Sequence, residues 1–429
     1  MTKLTLSATQ HNLNTNHFSP AVLEIIDTLQ QHHYEAYIVG GAVRDSLLNI
    51  RPKDFDVATN ATPEQIVRLF KRSKIIGRRF KIVHIYKRKD VIEVTTFRGS
   101  HTRKQLKRTQ TDEGLLLSDN NYGSLEEDAQ RRDFSANALY YNPSTNKIID
   151  YCGGFDAIQH KTLAIIGDPE TRFREDPVRM LRAVRLQAKL PMQIDNNTYQ
   201  KILTLQPLLQ QVPPARLFDE ILKLIMNGYS HPSFLALNET NLLNELLPAA
   251  AHHFNNSSVT QALYTQALIN SDKRVANHQP ITPSFLLAVF LWPEVQYKLG
   301  QLVQQNQHMP AQDALSHAMH FTIEEQHATS SIPKRFQSMI REIWQLQSRL
   351  TRQHQHTKKA KTLLTHPRFR AAYDFLLLRE SSGESDSNIA PWWTSFQATH
   401  ADILAAAKQE RAQLNQQRAK NRARRNRKR

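Results

Sequence analysis

The chain has 429 residues, enough for two or three domains with real cores, which excludes a small disulfide-stapled scaffold. Fifty-six Lys and Arg against 39 Asp and Glu give a formal charge of +17, so a polyanionic partner is expected, nucleic acid first and an acidic membrane surface second. The single cysteine, Cys152, excludes an intramolecular disulfide; with no signal-like start and no apolar run near the ~20 residues of a membrane span, a soluble protein of the reducing cytoplasm is expected.

Residues 1–18 are polar and aperiodic and read as a disordered leader. Ser19 then stands as an N-cap with Pro20 at the first helical position, followed by an apolar face of Val22, Leu23, Ile25, Ile26 and Leu29. Ala36 to Val39 is a short β-type run broken by Gly40 and Gly41, after which Arg44–Leu48 reads as helix. A second strand is expected over Pro52–Ala58 and a capped helix from Thr62. Lys81–Tyr86 and Val91–Phe97 alternate apolar and polar residues as an antiparallel pair. Residues 99–123 lack a pattern and read as a mobile basic loop over the site. Only 12 residues are glycine and nine of them lie at or before Gly167, so strands, tight turns and a ligand site belong to the N-terminal third and helices to the rest. Polar residues 381–388 break the helical region before Trp392 and Trp393, a pair that serves either as a hydrophobic anchor or as a stacking platform.

The chemistry begins at Asp54 and Asp56. On a strand, alternate residues share a face, so both carboxylates project together while Phe55 points to the core, and a divalent cation relieves their repulsion. Upstream, a strand ends in Gly40-Gly41 at the start of a helix, a turn whose free N–H groups suit a triphosphate, with Arg44 as an added cation. Strand, double glycine, helix and Asp-x-Asp on a neighbouring strand form the layout of a nucleotidyltransferase palm.

The blocks Val39-Gly-Gly-Ala-Val-Arg-Asp45, Asp54-Phe-Asp56, Arg131-Arg-Asp-Phe134 and Arg174-Glu-Asp-Pro-Val-Arg-Met-Leu-Arg182 resemble, in order and spacing, the class II tRNA nucleotidyltransferase and bacterial poly(A) polymerase family over roughly residues 35–230. The resemblance implies that Asp54 and Asp56 hold Mg²⁺, that Asp133 is a further essential carboxylate near the ribose, and that Arg132 and Gly40-Gly41 bind nucleotide. Arg131 and Arg132 have a second reading as braces of the fold. Glu93 is a candidate to complete the acidic cluster. The resemblance also implies that Asp176 and Arg179, expected on one helix face, read the adenine edge; an ordinary i,i+3 ion pair is the other reading. Arg182 and Arg185 would support Asp176 or touch phosphates.

Ile76-Gly-Arg-Arg-Phe-Lys-Ile-Val-His84, Ile332–Gln347 and Trp392-Trp393 with Phe396 resemble the bacterial poly(A) polymerase branch. The expected fold is α+β: a nucleotidyltransferase (polymerase-β-like) head with a mixed sheet over 19–150, an all-α neck over 151–230 and body over 231–380, an anchoring segment 381–407, and a disordered basic tail 408–429. That tail holds ten Lys or Arg and one acid, +9 of the net +17, and reads as an RNA tether or a solubilising end. The implied activity is template-independent transfer of AMP from ATP to RNA 3′ ends, marking RNA for decay, with RNA-decay proteins as further partners. A CCA-adding tRNA nucleotidyltransferase and a non-catalytic RNA-binding protein are the alternatives.

Overall fold

A computed structural model describes residues 3–77, 81–87, 90–99, 121–306, 308–385 and 388–427. Arg78, Arg79 and nearly all of the expected basic loop lie outside these residues. The chain forms two compact units, Met1–Val212 and Pro213–Arg429. The helices Pro169–Glu175, Val178–Lys189 and Asn196–Leu205 belong to the first unit, tied to it in part by pairing of Gln193–Ile194 with Thr162–Leu163.

The first unit is built on strands β1 (Leu4–Leu6), β2 (Ala36–Val39), β3 (Asp56–Thr59), β4 (Ser73–Ile76), β5 (Ile82–Lys87), β6 (Asp90–Thr96), β7 (Leu139–Asn142) and β8 (Lys147–Asp150). They form one mixed sheet in the order β1-β8-β7-β2-β3-β6-β5-β4, in which only β3 and β6 run parallel. One face carries Ile38, Val57, Val83, Ile85, Ile92 and Val94 into a core shared with Val22, Ile25, Ile26 and Leu29 of the helix Pro20–Gln31. Each such aliphatic side chain, fully buried, contributes about 1.5–3 kcal/mol. Tyr37, Val39 and Ala58 on the opposite face pack with Tyr140 and with Leu125 and Ala129 of the helix Leu125–Arg131.

Local chemistry sets the expected helix starts. Ser19 Oγ accepts the Val22 N–H at 3.3 Å with Pro20 in the first turn, and Thr62 and Gln65 cap each other's backbone reciprocally. The leader departs from expectation. Leu4–Leu6 pairs along β8, Leu6, Leu13 and Phe18 are buried, and the Phe18 ring stacks on Tyr141 at 5.2 Å. Its apolar residues are too few to show a period, but the exposed edge of β8 supplies the partner that a short strand needs.

The second unit is wholly helical among the described residues. Leu286 to Trp292 of the helix Pro283–Gln305 are buried without interruption, and Trp344 donates its indole N–H to the Ala288 carbonyl at 2.9 Å. Trp393 is buried and donates to the Leu350 carbonyl at 3.2 Å, which makes it an anchor; Trp392 is half-buried and stacks on Phe396. Helix Ala401–Arg427 runs through the segment where a disordered tail is expected. Its Ala, Gln, Lys and Arg content favours helix by intrinsic propensity, even though its sequence offers no continuous apolar stripe. No helix among the described residues is long and apolar enough to cross a membrane.

Phe18→Ala separates the docked leader from a disordered one. Loss of the buried stacked ring is expected to lower stability by about 3–5 kcal/mol, read as a lower urea midpoint. An unchanged midpoint would show that residues 1–18 do not pack.

Candidate active site

The parallel register of β3 and β6 sets Asp56 against Glu93, and the antiparallel register of β6 and β5 sets Glu93 against His84. Directly paired residues share a sheet face, so the three side chains form one row, with His84 Nε2 3.3 Å from Glu93 Oε1. The strand begins at Asp56, so Asp54 stands exposed on the segment just before it, where a longer strand was expected to carry both carboxylates. Burial, the Glu93 carboxylate and the nearby Asp54 push the Asp56 carboxyl up to about 6, against the opposing pull of Arg132 and Arg182. Glu93 thus joins the acidic cluster. Among the described residues no three or more His, Cys, Asp or Glu converge as a ready-made metal cage.

Gly40 closes β2 with φ of +75° and caps the helix Gly41–Leu47. A Cβ built there would lie 3.6 Å from Arg132 Nη1 and 3.8 Å from Asp56 Oδ2, so this turn brings bare backbone against the charged row. Arg44 differs from expectation. It is buried, with its guanidinium donating to Asp45 and to Asn137, while Lys189 Nζ reaches Asp45 at 3.3 Å. Its position on a helix turned into the unit commits it to internal carboxylate and amide oxygens rather than to a phosphate.

Arg132 and Asp133 are held by separate networks. Arg132 donates through Nε to Tyr140 Oη at 2.9 Å and through Nη2 to Asp128 Oδ2 at 3.1 Å, and the Tyr140 hydroxyl donates to the same Asp128 oxygen at 2.6 Å. The buried Asp128 thereby orients the arginine that faces Gly40 and Asp56. Burial by itself would push the Asp133 carboxyl up, but the Arg182 guanidinium, the Asn137 amide and the Phe134 N–H hold it well below the usual carboxylate range. Arg182 Nε donates to Asp133 Oδ2 at 2.6 Å, so Arg182, expected to support Asp176 or touch phosphates, supports Asp133. Asp128, Asn137 and Tyr140 were not singled out in the sequence. The spacing of Asp128 to Arg132 and of Asp133 to Asn137, four residues each, was their only legible sign.

Asp176 and Arg179 do not share one helix face. Asp176 is the extended residue that ends the helix Pro169–Glu175, and Arg179 lies in the first turn of Val178–Lys189. Pro177 is the cause, since a residue before proline is driven out of the helical region. The two remain adjacent, with the Arg179 N–H donating to the Asp176 carbonyl at 3.0 Å. Arg179 Nη1 donates to Glu175 at 2.9 Å and to the Arg172 carbonyl at 2.7 Å. Arg172 in turn donates to the Arg131 and Arg132 carbonyls, both at 2.7 Å, which joins this helix break to the Arg131-Arg132-Asp133 segment.

The charge on Asp56 opposes folding. Its folded pKa lies above the ordinary 3.8, so the penalty is absent at low pH, accrues as pH rises between the two values and is complete above about 6. Asp56→Asn is therefore expected to stabilise the chain by about 1–3 kcal/mol near pH 8, and by less near pH 5, in urea titrations. Equal effects at the two pH values would mean that the carboxyl is not perturbed.

Three family models match the chain: the poly A polymerase head domain over residues 36–164, a probable RNA and SrmB-binding site of polymerase A over 191–254, and the polymerase A arginine-rich C-terminus over 307–429. Poly(A) polymerase I of Salmonella typhimurium is 42% identical over 398 residues, 91% of this chain and 85% of that protein. The CCA-adding enzyme of a Geobacillus species is 38% identical over 242 residues, 54% of this chain and 58% of that protein. Among solved structures, the Bacillus stearothermophilus CCA-adding enzyme in complex with CTP superimposes with a TM-score of 0.57 at 26% identity, covering 90% of this chain and 83% of that one. Similarity to the polymerase continues through both compact units, whereas that to the Geobacillus CCA-adding enzyme covers about half the chain, and the chain belongs to the poly(A) polymerase family.

Proposed function

We propose that this chain transfers AMP from ATP to RNA 3′ ends without a template, releasing pyrophosphate and leaving tails that promote RNA decay. One observation carries the reading: the carboxylate row of Asp56 and Glu93, with Asp54 beside it, lies against the glycine turn at Gly40 and the cation Arg132. Similarity to a poly(A) polymerase over 91% of the chain selects AMP transfer over CCA addition.

The donor set fits a divalent cation. Asp56 is pushed up to about 6 by burial and by other carboxylates, the mark of hard oxygen donors short of positive charge. Asp54 and Asp56 would hold Mg²⁺, with Glu93 behind Asp56. When bound, the ions supply an activated RNA 3′-hydroxyl and neutralise the departing pyrophosphate. Gly40 and Gly41 offer backbone N–H groups to the triphosphate and Arg132 adds a fixed charge, oriented by Asp128 and Tyr140. Asp133, kept ionised and aimed by Arg182 and Asn137, suits a ribose hydroxyl. Asp176 and Arg179 would present an acceptor and a donor to the adenine edge from the helix break, the bonds of Arg179 Nη1 to Glu175 and the Arg172 carbonyl leaving its other N–H groups for the base. Arg44 has no direct part. RNA-decay proteins as partners and a cytoplasmic setting complete the proposal.

Nucleotide choice tests it. Purified chain with Mg²⁺ and ATP alone is expected to extend an unstructured RNA by many residues, and to add little CMP to a tRNA lacking its CCA end. Efficient CTP incorporation with arrest after three additions would instead assign CCA addition. Asp54→Ala and Asp56→Ala should each lower extension by at least about a thousandfold while RNA affinity stays within a factor of about two.

A further inference from the structure

The helical unit Pro213–Arg429 contains a cavity of about 770 Å³ that has no part in the chemistry described above. Its floor is apolar, formed by Phe285, Met339, Ile343 and Leu377, and the Ser284 hydroxyl lies 3.4 Å from Met339 Sδ in the wall. Leu377 is exposed, so part of that apolar floor faces solvent. Four cations, Lys273, Arg274, Arg368 and Arg370, line the same cavity against one carboxylate, Asp374.

These cations are not equivalent. Arg274 is committed to the Pro280 carbonyl through two nitrogens, and Arg368 pairs with Glu342 at 3.2 Å. Arg370 pairs with Asp374 at 3.0 Å but keeps 71% of its side chain exposed. The Lys273 side chain has no ion-pair or hydrogen-bond partner among the described residues. The cavity thus joins an apolar floor, a surplus of positive charge and hydrogen-bonding side chains such as Asn270, Gln266 and Asp374. Inorganic phosphate would leave the floor unused, and an acyl chain would leave the cations and polar side chains of the lining unused. A nucleotide carries all three complements: a flat apolar face, amino or hydroxyl donors, and phosphate.

We infer that this cavity seats one unpaired nucleotide of the RNA strand, its base on the floor of Phe285, Met339 and Leu377 and its flanking phosphates against Lys273 and Arg370. The identity of the polymer rests on the RNA-tailing reading above. Single-stranded RNA offers splayed bases with charged backbone on either side, which a base-sized apolar recess with a basic rim accepts whatever the sequence.

Binding of fluorescein-labelled oligo(A) to the full chain without ATP, followed by anisotropy through a salt titration, tests this independently of catalysis. Lys273→Ala combined with Arg370→Gln is expected to weaken binding about tenfold and to flatten the log–log salt slope by about 1.4, for two lost phosphate contacts. Ala371→Trp, which fills the recess from its wall, should weaken binding with the slope unchanged. Melting temperatures within ~2 °C of the parent exclude misfolding as the cause. If a variant fails that control, photocrosslinking of 8-azidoadenosine-substituted oligo(A) to the unaltered chain decides, with adducts required on Met339 or the helix Phe369–Ser381. Affinities of both folded variants within a factor of about two of the parent, adducts confined to other regions, or displacement of those adducts by excess free ATP would each overturn the inference. Weakened RNA binding in a chain that adds no AMP would overturn the proposed function alone.

Discussion

The parallel pairing of β3 with β6 is the constraint on which the candidate site depends. It forces Asp56 and Glu93 side by side on a sheet whose other face is an apolar core, so neither carboxylate can move away without disrupting that pairing. Like charges held so close in a partly buried place raise the proton affinity of at least one of them, and Asp56 bears that shift. The surroundings answer with fixed cations rather than with solvent. Arg132 approaches Gly40, whose φ of +75° suits a residue without a side chain, and Arg182 takes up Asp133 nearby.

Each cation is held by a carboxylate of its own, which keeps the two networks distinct. Asp128 and Tyr140 orient Arg132, while Arg182 and Asn137 orient Asp133. A guanidinium fixed at two nitrogens loses little further entropy when it meets a substrate oxygen, whereas a free surface arginine must first be ordered. Arg44 shows the contrasting use of the same residue type. Buried between Asp45 and Asn137, with Lys189 reaching Asp45 from the far side, it stabilises the helix after the glycine turn. Breaking a pair so buried would leave an uncompensated charge inside the unit.

The helical unit uses a different physics. Two of its indole N–H groups are spent on internal carbonyls, Trp344 on Ala288 and Trp393 on Leu350, so these two tryptophans lock helices together instead of meeting a ligand. Phe285 and Leu377 instead line a cavity together with Lys273 and Arg370, where apolar surface and positive charge meet. The chain's positive charge is therefore not confined to its far end, although the last twenty-two residues carry most of the excess.

Much of this was legible before any coordinates. The β alternation of Lys81–Tyr86 and Val91–Phe97, the caps at Ser19 and Thr62, the Gly40-Gly41 turn and the helical second half follow from local periodicity and turn chemistry, and the four motifs carry the candidate site residues. The break between Asp176 and Arg179 was also within reach, because Pro177 acts on its immediate neighbour. What only the tertiary structure decided involves residues far apart in the chain: the row of His84, Glu93 and Asp56, the capture of Arg44 by Asn137, the pairing of Arg182 with Asp133, and the docking of Leu4–Leu6 on β8. Local sequence determines which conformation a segment prefers and which groups it carries. Which distant group a buried charge or an open strand edge will meet is set by the register and packing of the whole sheet, and no short stretch of sequence encodes that alone.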